Sequence, residues 1–271
     1  MLIDKKPKEL LEEFLTSYNK VHNININKAI RIIKSNIDYY KGDKNKRDEL
    51  VYLQEPENIW YNALEKNKID YSVYDDHYYF TDLWACWIIY SRGYLKGIVK
   101  ENSLDGNISI LSLFKDITSV LDLGCGIGYT TASLKQIFSK ADIYGTNIED
   151  TKQYLFCKSM SKKYNFKIVS DISKINHCID LVFASEYFEH IEDSLEHLQD
   201  ILKNLKPKYF IIANAFNTRS VGHFIEYKYG NIKINQAKMS KLFNKILVLN
   251  EYKKIKTKLW NNRPNIYIRE N

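Results

Sequence analysis

Apolar positions in residues 1–105 recur at helical spacing. Leu10 and Phe14 fall four residues apart, as do Leu11 and Leu15, so their side chains share one face of a helix. Residues 70–80 mix aromatic and polar side chains, and this pattern predicts no element. The remainder predicts four helices: one from Pro7, one over 27–40 that stops at Gly42, one over 58–66, and one with Thr81 as its N-cap.

The pattern changes after the turn signal Asp105-Gly106-Asn107, where we place a domain boundary. From there to residue 271, short apolar runs alternate with helical patterns, which is typical of β-α units around a parallel sheet. The class is therefore α/β, with residues 1–105 as a helical N-terminal extension and 106–271 as a second domain. The predicted strands are 119–123, 142–146, 167–170, 179–184, 209–213, 252–260 and 265–269, and the helices are 130–138, 151–163, 194–205 and 236–243.

Composition narrows the class of protein. The chain has 271 residues, of which 45% are hydrophobic, so it can bury a core and is not a disordered or collagen-like chain. Its four cysteines form no C-x-x-C pair, which disfavours a disulfide scaffold or a zinc knuckle. The first residues are charged, and the longest apolar run is too short to cross a bilayer. We expect a cytoplasmic protein with no membrane partner.

The net charge of +7 is unevenly distributed. Residues 201–271 carry 15 Lys and Arg against three Glu, a net of +12, whereas the preceding residues are slightly acidic. A basic face for an anionic partner is one interpretation of this tail. The other is a lysine-rich composition that carries no function.

The segment from Val120 to Tyr129 carries the chemistry. A buried strand containing Asp122 ends in Gly124, Gly126 and Gly128 and opens into a helix. Glycine permits a tight turn and lets a ligand approach the backbone closely. The dinucleotide fingerprint spaces its glycines G-x-G-x-x-G, so the G-x-G-x-G spacing here differs from it, although another nucleotide such as NAD remains an alternative.

This segment resembles the first motif of the class I S-adenosylmethionine (SAM) dependent methyltransferases, D-x-G-x-G-x-G. The resemblance extends over residues 115–215 and implies a Rossmann-like, doubly wound seven-stranded sheet whose last strand is antiparallel. It also implies SAM as the cofactor, S-adenosylhomocysteine as the product, and no metal. A catalytically inactive member, acting as a SAM-fold binding module, remains an alternative.

The resemblance assigns the cofactor contacts residue by residue. Asn147 replaces the acidic residue that holds the ribose hydroxyls, and as an amide it loses a charge-assisted hydrogen bond unless Glu149 substitutes. Ile148 would line the adenine, and Asp171 would accept from its amino group. The full set of cofactor-binding residues implied is Asp122, Gly124, Cys125, Gly126, Gly128, Asn147, Ile148, Asp171, Ile172 and Ser185.

The E-x-x-E-H pattern after the fourth strand supplies the candidate catalytic residues Glu186, Glu189 and His190. SAM carries an electrophilic methyl group, so the protein mainly aligns an oxygen or nitrogen acceptor and, where needed, supplies a base. His190 has a second interpretation, in which it only packs beside the strand. No metal-binding cluster is visible in the sequence.

The acceptor is left open between two substrate classes. The DNA amino-methyltransferase and cytosine-C5 signatures are absent, and the E-x-x-E-H form is common in family members that act on small molecules and sugars. The basic region 201–271 instead permits a nucleic acid, with Tyr227, Tyr229, Trp260 and Arg263 available for stacking. An anionic acceptor suits both alternatives. Residues 79–94 are a candidate lid over the SAM pocket.

Overall fold

Seven strands form the central sheet of the computed structural model, which describes residues 1–23, 25–43, 54–100, 109–260 and 263–270. Their order is β3-β2-β1-β4-β5-β9-β8. The first five strands run parallel, while β9 pairs antiparallel with both β5 and β8. The strands of this sheet are β1 Ser119–Leu123, β2 Asp142–Thr146, β3 Lys167–Val169, β4 Leu181–Ser185, β5 Tyr209–Ala213, β8 Tyr252–Trp260 and β9 Arg263–Arg269.

Helices cover both faces of this sheet. Within the described ranges they are α1 Pro7–His22, α2 Ile26–Tyr40, α3 Gln54–Glu65, α4 His77–Cys86, α5 Arg92–Val99, α6 Tyr129–Ile137, α7 Lys152–Tyr164, α8 Ser194–Asp200 and α9 Gln236–Leu249. A π-helical turn at Trp87–Ser91 joins α4 to α5, and another at Ile201–Leu205 extends α8. The architecture is therefore doubly wound, Rossmann-like α/β. Its last strand, β9, is antiparallel, and helices form the N-terminal region. These features confirm the predicted fold class.

The central strands are apolar on both sides because helices pack on both faces. Every residue of β1 and of β5 is buried. Alternate residues enter different cores: Val120 packs with α1, α5, α6 and α7, whereas Leu121 packs with α3, α8 and α9. The continuous apolar runs that the sequence shows are therefore a direct consequence of two-sided burial.

The N-terminal helices are part of the packed molecule. Phe14 of α1 stacks on Trp84 of α4, with ring centroids 5.5 Å apart, and also contacts Phe156 of α7. In α5, a Cβ atom added at Gly97 would come within 2.4 Å of the Leu259 side chain in β8. The helical region thus packs against both the first and the last parts of the sheet.

One local expectation is wrong, and one segment without a predicted element now has one. The fourth helix begins at His77 rather than at Thr81, because the Asp76 carboxylate accepts the Tyr79 N–H at 3.1 Å and Thr81 lies buried inside the helix. Residues 70–80 contain a 3-10 helix at Tyr71–Asp75, capped by the Asp70 side chain, and the start of α4.

The structure also contains a two-stranded hairpin that the sequence pattern did not predict, formed by β6 Glu226–Tyr229 and β7 Ile232–Asn235. The predicted domain boundary at Asp105-Gly106-Asn107 lies outside the described residues. Asn261 and Asn262, between the last two predicted strands, also lie outside them. None of the described helices combines the length and apolar character that crossing a bilayer requires.

Candidate functional site

The three glycines of the β1–α6 loop all adopt left-handed backbone conformations, with φ of 66° at Gly124, 50° at Gly126 and 84° at Gly128. A Cβ atom at Gly124 would meet the Tyr187 ring at 2.5 Å, and one at Gly128 would meet Cys157 Sγ at 3.0 Å. At Gly126 the nearest atom would be 3.7 Å away. The outer glycines are thus enclosed by protein, while Gly126 leaves space beside the backbone for a ligand.

A cavity of about 610 Å³ opens beside this loop, within the usual range for a small-molecule site. It is lined by parts of the chain that are distant in sequence: the glycine loop, the end of β4, the α4–α5 helix, the loop after β5, the start of β9, and residues of α2 and α3. Its lining includes Gly124, Cys125, Gly126, Asp82, Leu83, Trp87, Tyr90, Ser91, Ser185, Glu186, His190, Thr218, Arg219, Ser220, His223 and Arg263. The α4–α5 helix accordingly occupies the position predicted for a lid.

Asp122 lies beneath the loop rather than in the cavity lining. It is 2% exposed, and its Oδ2 accepts a hydrogen bond from Thr131 Oγ1 at 2.5 Å. Burial raises the pKa of this carboxyl to about 7, although the Thr131 hydrogen bond opposes the rise. Through Thr131, Asp122 connects the end of β1 to the first turns of α6.

Asn147, at the end of β2, is tied to the loop. Its Nδ2 donates to the Gly126 carbonyl oxygen at 2.7 Å, and this bond links the end of β2 to the glycine loop. The adjacent Ile148 is 45% exposed, and neither residue is in the lining of the cavity. The ribose contact of Asn147 and the adenine contact of Ile148 stay predictions.

Asp171 and Ile172 follow β3 and do not line the cavity. Asp171 Oδ1 accepts the Ser173 N–H at 2.6 Å, and this backbone hydrogen bond holds the pKa of the exposed carboxyl below its usual range. Ile172 is buried at the start of a short 3-10 helix. Tyr187, which follows β4, packs on Gly124, and its hydroxyl hydrogen-bonds His197.

Glu186 stands directly after β4 with a left-handed φ of 51°, a conformation that costs energy for a residue with a side chain. Its backbone N–H donates to the Ala213 carbonyl at 2.8 Å, which holds it against the end of β5. Its carboxylate lies 3.7 Å from Arg263 Nη1, and both side chains are about one-third exposed. Next to it, Ser185 accepts a hydrogen bond from Ser91 of the α4–α5 helix at 3.2 Å.

Glu189 is fully buried in the short 3-10 helix Phe188–His190. Its Oε1 accepts the Ala215 N–H at 2.5 Å, whereas its Oε2 is buried with no hydrogen-bond partner in the described part of the chain. Burial raises the pKa of this carboxyl well above its ordinary value, and the nearby Glu186 carboxylate raises it further. Glu189 therefore supports the cavity floor without lining it.

His190 lines the cavity and is held by Tyr74, whose hydroxyl lies 3.0 Å from His190 Nδ1. The His223 ring packs edge-on against it, with centroids 4.6 Å apart. Burial lowers the pKa of His190 well below 6.5 and that of His223 to about 4, so both rings are neutral. His190 therefore packs after β4 and also lines the cavity, and its role as a base stays a prediction.

Comparison with known proteins accounts for the glycine loop. A family model described as a methyltransferase domain matches residues 114–263, which is more than half of the chain. The chain belongs to this methyltransferase family. This membership confirms the superfamily resemblance seen in the sequence and SAM as the cofactor. The E-x-x-E-H subtype, the individual site residues and the acceptor stay predictions.

Two curated relatives of this methyltransferase act on different substrates according to their names. The chain is 30% identical over 129 residues to the ribosomal RNA small subunit methyltransferase C of Actinobacillus pleuropneumoniae, covering 41% of this chain and 38% of that protein. It is 26% identical over 142 residues to the ubiquinone biosynthesis O-methyltransferase of Rickettsia canadensis, covering 49% and 60%. The methyltransferase therefore spans less than two thirds of either relative's length.

Among solved structures, the Methanococcus jannaschii fibrillarin pre-rRNA processing protein aligns with 58% of this chain and 68% of its own. The TM-score is 0.43 and the identity 16%.

The structure adds contacts to the methyltransferase site that the sequence did not predict. Tyr74 orients His190, and Arg263, predicted only as a stacking residue, pairs with Glu186. His223 lies in the loop after β5, where α3 fixes its backbone because Trp60 Nε1 donates to the His223 carbonyl at 2.9 Å. These contacts join distant segments, so no local spacing marks them.

The basic tail contributes little to the cavity. Of the cations whose side chains are described, only Arg219 and Arg263 line it, and Arg219 is paired with Glu57 at 2.9 Å. Other lysines project from the edge strand β8, including exposed Lys253 and Lys256. Tyr227, a predicted stacking residue, is instead fully buried in the core beneath Glu189. Much of the charge thus lies away from the candidate active site.

Proposed function

We propose that this methyltransferase transfers a methyl group from SAM to an oxygen or nitrogen atom of an anionic small-molecule or sugar-type acceptor. One observation carries the proposal: a single cavity joins the open side of Gly126 to Glu186 and His190. A cofactor held at the glycine loop and an acceptor held at the end of β4 would therefore meet in one cavity.

SAM supplies an electrophilic methyl group on a sulfonium, so the chain's own task is alignment and proton handling. The α4–α5 helix lines one side of the cavity. His190 is neutral, so its ring has a nitrogen lone pair that can accept a proton from an acceptor hydroxyl or amine, and Tyr74 holds the orientation of the ring. Glu186 lines the same cavity, with its carboxylate 3.7 Å from Arg263 Nη1.

Two arginines support an anionic acceptor. Arg263 and Arg219 both line the cavity, and each presents a planar donor set that matches a carboxylate or a phosphate. Both now face glutamates, in ion pairs that are partly exposed and therefore weak. An incoming anion competes with these glutamates for the same donors.

Calorimetric titration with SAM tests the cofactor assignment. The variant Gly126→Arg fills the space beside the loop, whereas Gly230→Arg provides a matched control. Gly230 has a similar φ of 55° and also has open space around it, but it lies in the β6–β7 turn. We expect SAM binding to be lost in the first variant and kept in the second. Equal binding by both would contradict the assignment of the glycine loop.

Incubation with labelled SAM and separate pools of acidic metabolites, glycans and nucleic acid then identifies the acceptor class. A nucleic-acid acceptor is the second candidate, favoured by the exposed lysines of β8. Retention on RNA or DNA that falls steeply with rising salt would support it, because phosphate contacts release counterions. A protein that binds SAM but labels no pool would instead fit a non-catalytic binding module.

A further inference from the structure

Glu186, Glu189 and His223 bring one ligand atom each into a small space. These three atoms all lie within 4.8 Å of one another. The residues come from the end of β4, from the following 3-10 helix, and from the loop after β5. The fold alone brings His223 to the two carboxylates, so no spacing in the sequence predicts a metal there.

Glu189 carries the strongest sign that a ligand is needed. Its side chain is fully buried, and its Oε2 has no partner among the residues the structure describes, while Oε1 is already bonded to the Ala215 N–H. An unpaired buried carboxylate oxygen is costly, and a second carboxylate at Glu186 increases the cost. Arg263 lies 3.7 Å from Glu186 and offsets part of this charge, but Glu189 Oε2 stays unpaired among the described residues, so a cation at Glu189 would complete the compensation.

His223 is oriented as a metal ligand. Its Nδ1 lies 2.7 Å from the Thr218 carbonyl oxygen, which only accepts hydrogen bonds, so the proton resides on Nδ1. The lone pair is therefore on Nε2, the atom left to face the carboxylates. A backbone carbonyl that fixes the tautomer of a ligating histidine is a recurrent arrangement around protein metals.

We propose that Glu186, Glu189 and His223 form a binding site for a divalent cation, with Mn²⁺ as the matching ion. Two carboxylates and one imidazole suit a cation that accepts both oxygen and nitrogen ligands. Three protein ligands leave several positions of an octahedral shell open. Because Glu186 and His223 both line the cavity, the open positions face the acceptor.

This site, which rests on the proposed function for its role, narrows the acceptor to a hydroxyl group. A bound cation lowers the pKa of a hydroxyl that it contacts. The acceptor oxygen then forms the new carbon–oxygen bond, and the methyl–sulfur bond breaks with its electron pair remaining on sulfur. The hydroxyl proton passes to His190 and from there to bulk water, so methylated product, S-adenosylhomocysteine and one proton balance the reaction.

A proton shared between Glu186 and Glu189 is the competing explanation, because it also removes one negative charge from the pair. The two explanations differ in a direct measurement. A shared proton gives no affinity for a divalent cation, whereas the proposed site binds one equivalent of Mn²⁺ whether or not SAM is present.

The test is titration of the full chain with MnCl₂. Binding is measured as the loss of the EPR signal of free Mn²⁺. Glu189→Gln removes the charge and keeps an oxygen for the Ala215 N–H. His223→Asn keeps a donor for the Thr218 carbonyl and removes Nε2. Glu192→Gln is the control, since this carboxylate lies three residues beyond Glu189 but pairs with Lys228. Urea unfolding checks that each variant is folded.

We expect one Mn²⁺ per chain, an affinity at least about tenfold weaker in each of the two site variants, and no change in the control. Absence of binding by the unaltered protein, or equal binding by all four proteins, overturns the proposal. SAM titrations on the same samples keep the two proposals separate. Mn²⁺ binding without SAM binding refutes only the proposed function, and SAM binding without Mn²⁺ binding refutes only the metal site.

Discussion

The buried carboxyl of Asp122 gives a quantitative prediction about stability. Its pKa rises from 3.8 to about 7 in the folded chain because burial disfavours the charged form. The folded state therefore retains a proton over an interval in which the unfolded state has lost it. Stability is greatest below the unfolded pKa and falls as the pH rises toward 7.

The size of the effect follows from that interval. Each pH unit in which only the folded state is protonated is worth about 1.4 kcal/mol, so the interval of about three units is worth about 4 kcal/mol. The variant Asp122→Asn has no such titration and keeps an oxygen for the Thr131 hydroxyl. We expect the unfolding free energy of the unaltered chain, relative to this variant, to fall by about 4 kcal/mol between about pH 4 and pH 8.

Urea unfolding of both proteins at about pH 4, 6 and 8 measures this difference. Taking the difference cancels the titration of all groups that the two proteins share. A constant effect of the amide on packing shifts every point equally and leaves the slope unchanged. A difference that is independent of pH, or that grows in favour of the carboxyl as pH rises, would refute the reasoning.

Three further predictions concern packing and hydrogen bonding, each measured by urea unfolding. Gly128→Ala should destabilise the chain by about 1–3 kcal/mol, because its Cβ meets Cys157 Sγ at 3.0 Å in a left-handed backbone. The loss should clearly exceed that of Gly230→Ala, which has the backbone strain alone. Equal losses would show that the contact with Cys157 costs nothing. Asp180→Asn should cost about 1–3 kcal/mol at neutral pH, because Asp180 Oδ2 accepts from Thr118 and Ser119. These bonds lower the pKa of Asp180, so the cost should vanish as the pH falls through that pKa, and a cost that persists in acid would count against the charge. Phe14→Ala should cost about 3–5 kcal/mol, and a loss below about 1 kcal/mol would show that α1 contributes little to the core.

Local sequence patterns predicted the elements whose signals are local. The spacing of its glycines predicts the glycine loop, and continuous apolar runs predict the buried strands. The start of α4 was missed because Asp76 and Thr81 are both good capping residues, and the choice depends on Thr81 being buried by neighbours that the pattern does not reveal. The β6–β7 hairpin was missed because its strands have only four residues each.

The candidate site divides in the same way. Glu186 and His190 follow a strand end directly, so their positions at the cavity could be predicted from parallel-sheet geometry. His223 could not, because its place depends on α3 holding the loop after β5. The sequence shows how many charged residues the tail has, but it does not show toward which surface their side chains point. Exposed lysines on an edge strand such as β8 also serve to discourage pairing with other chains.

The position of β9 has a consequence for folding during synthesis. It is the last of the described strands along the sequence, yet it lies between β5 and β8 in the sheet. During synthesis, the outer edge of β5 therefore stays unpaired until residues 263–269 have emerged. An open apolar edge of this kind invites association with other chains. The methyltransferase is thus most exposed to misassembly just before its sheet is completed, and insertion of β9 ends that interval.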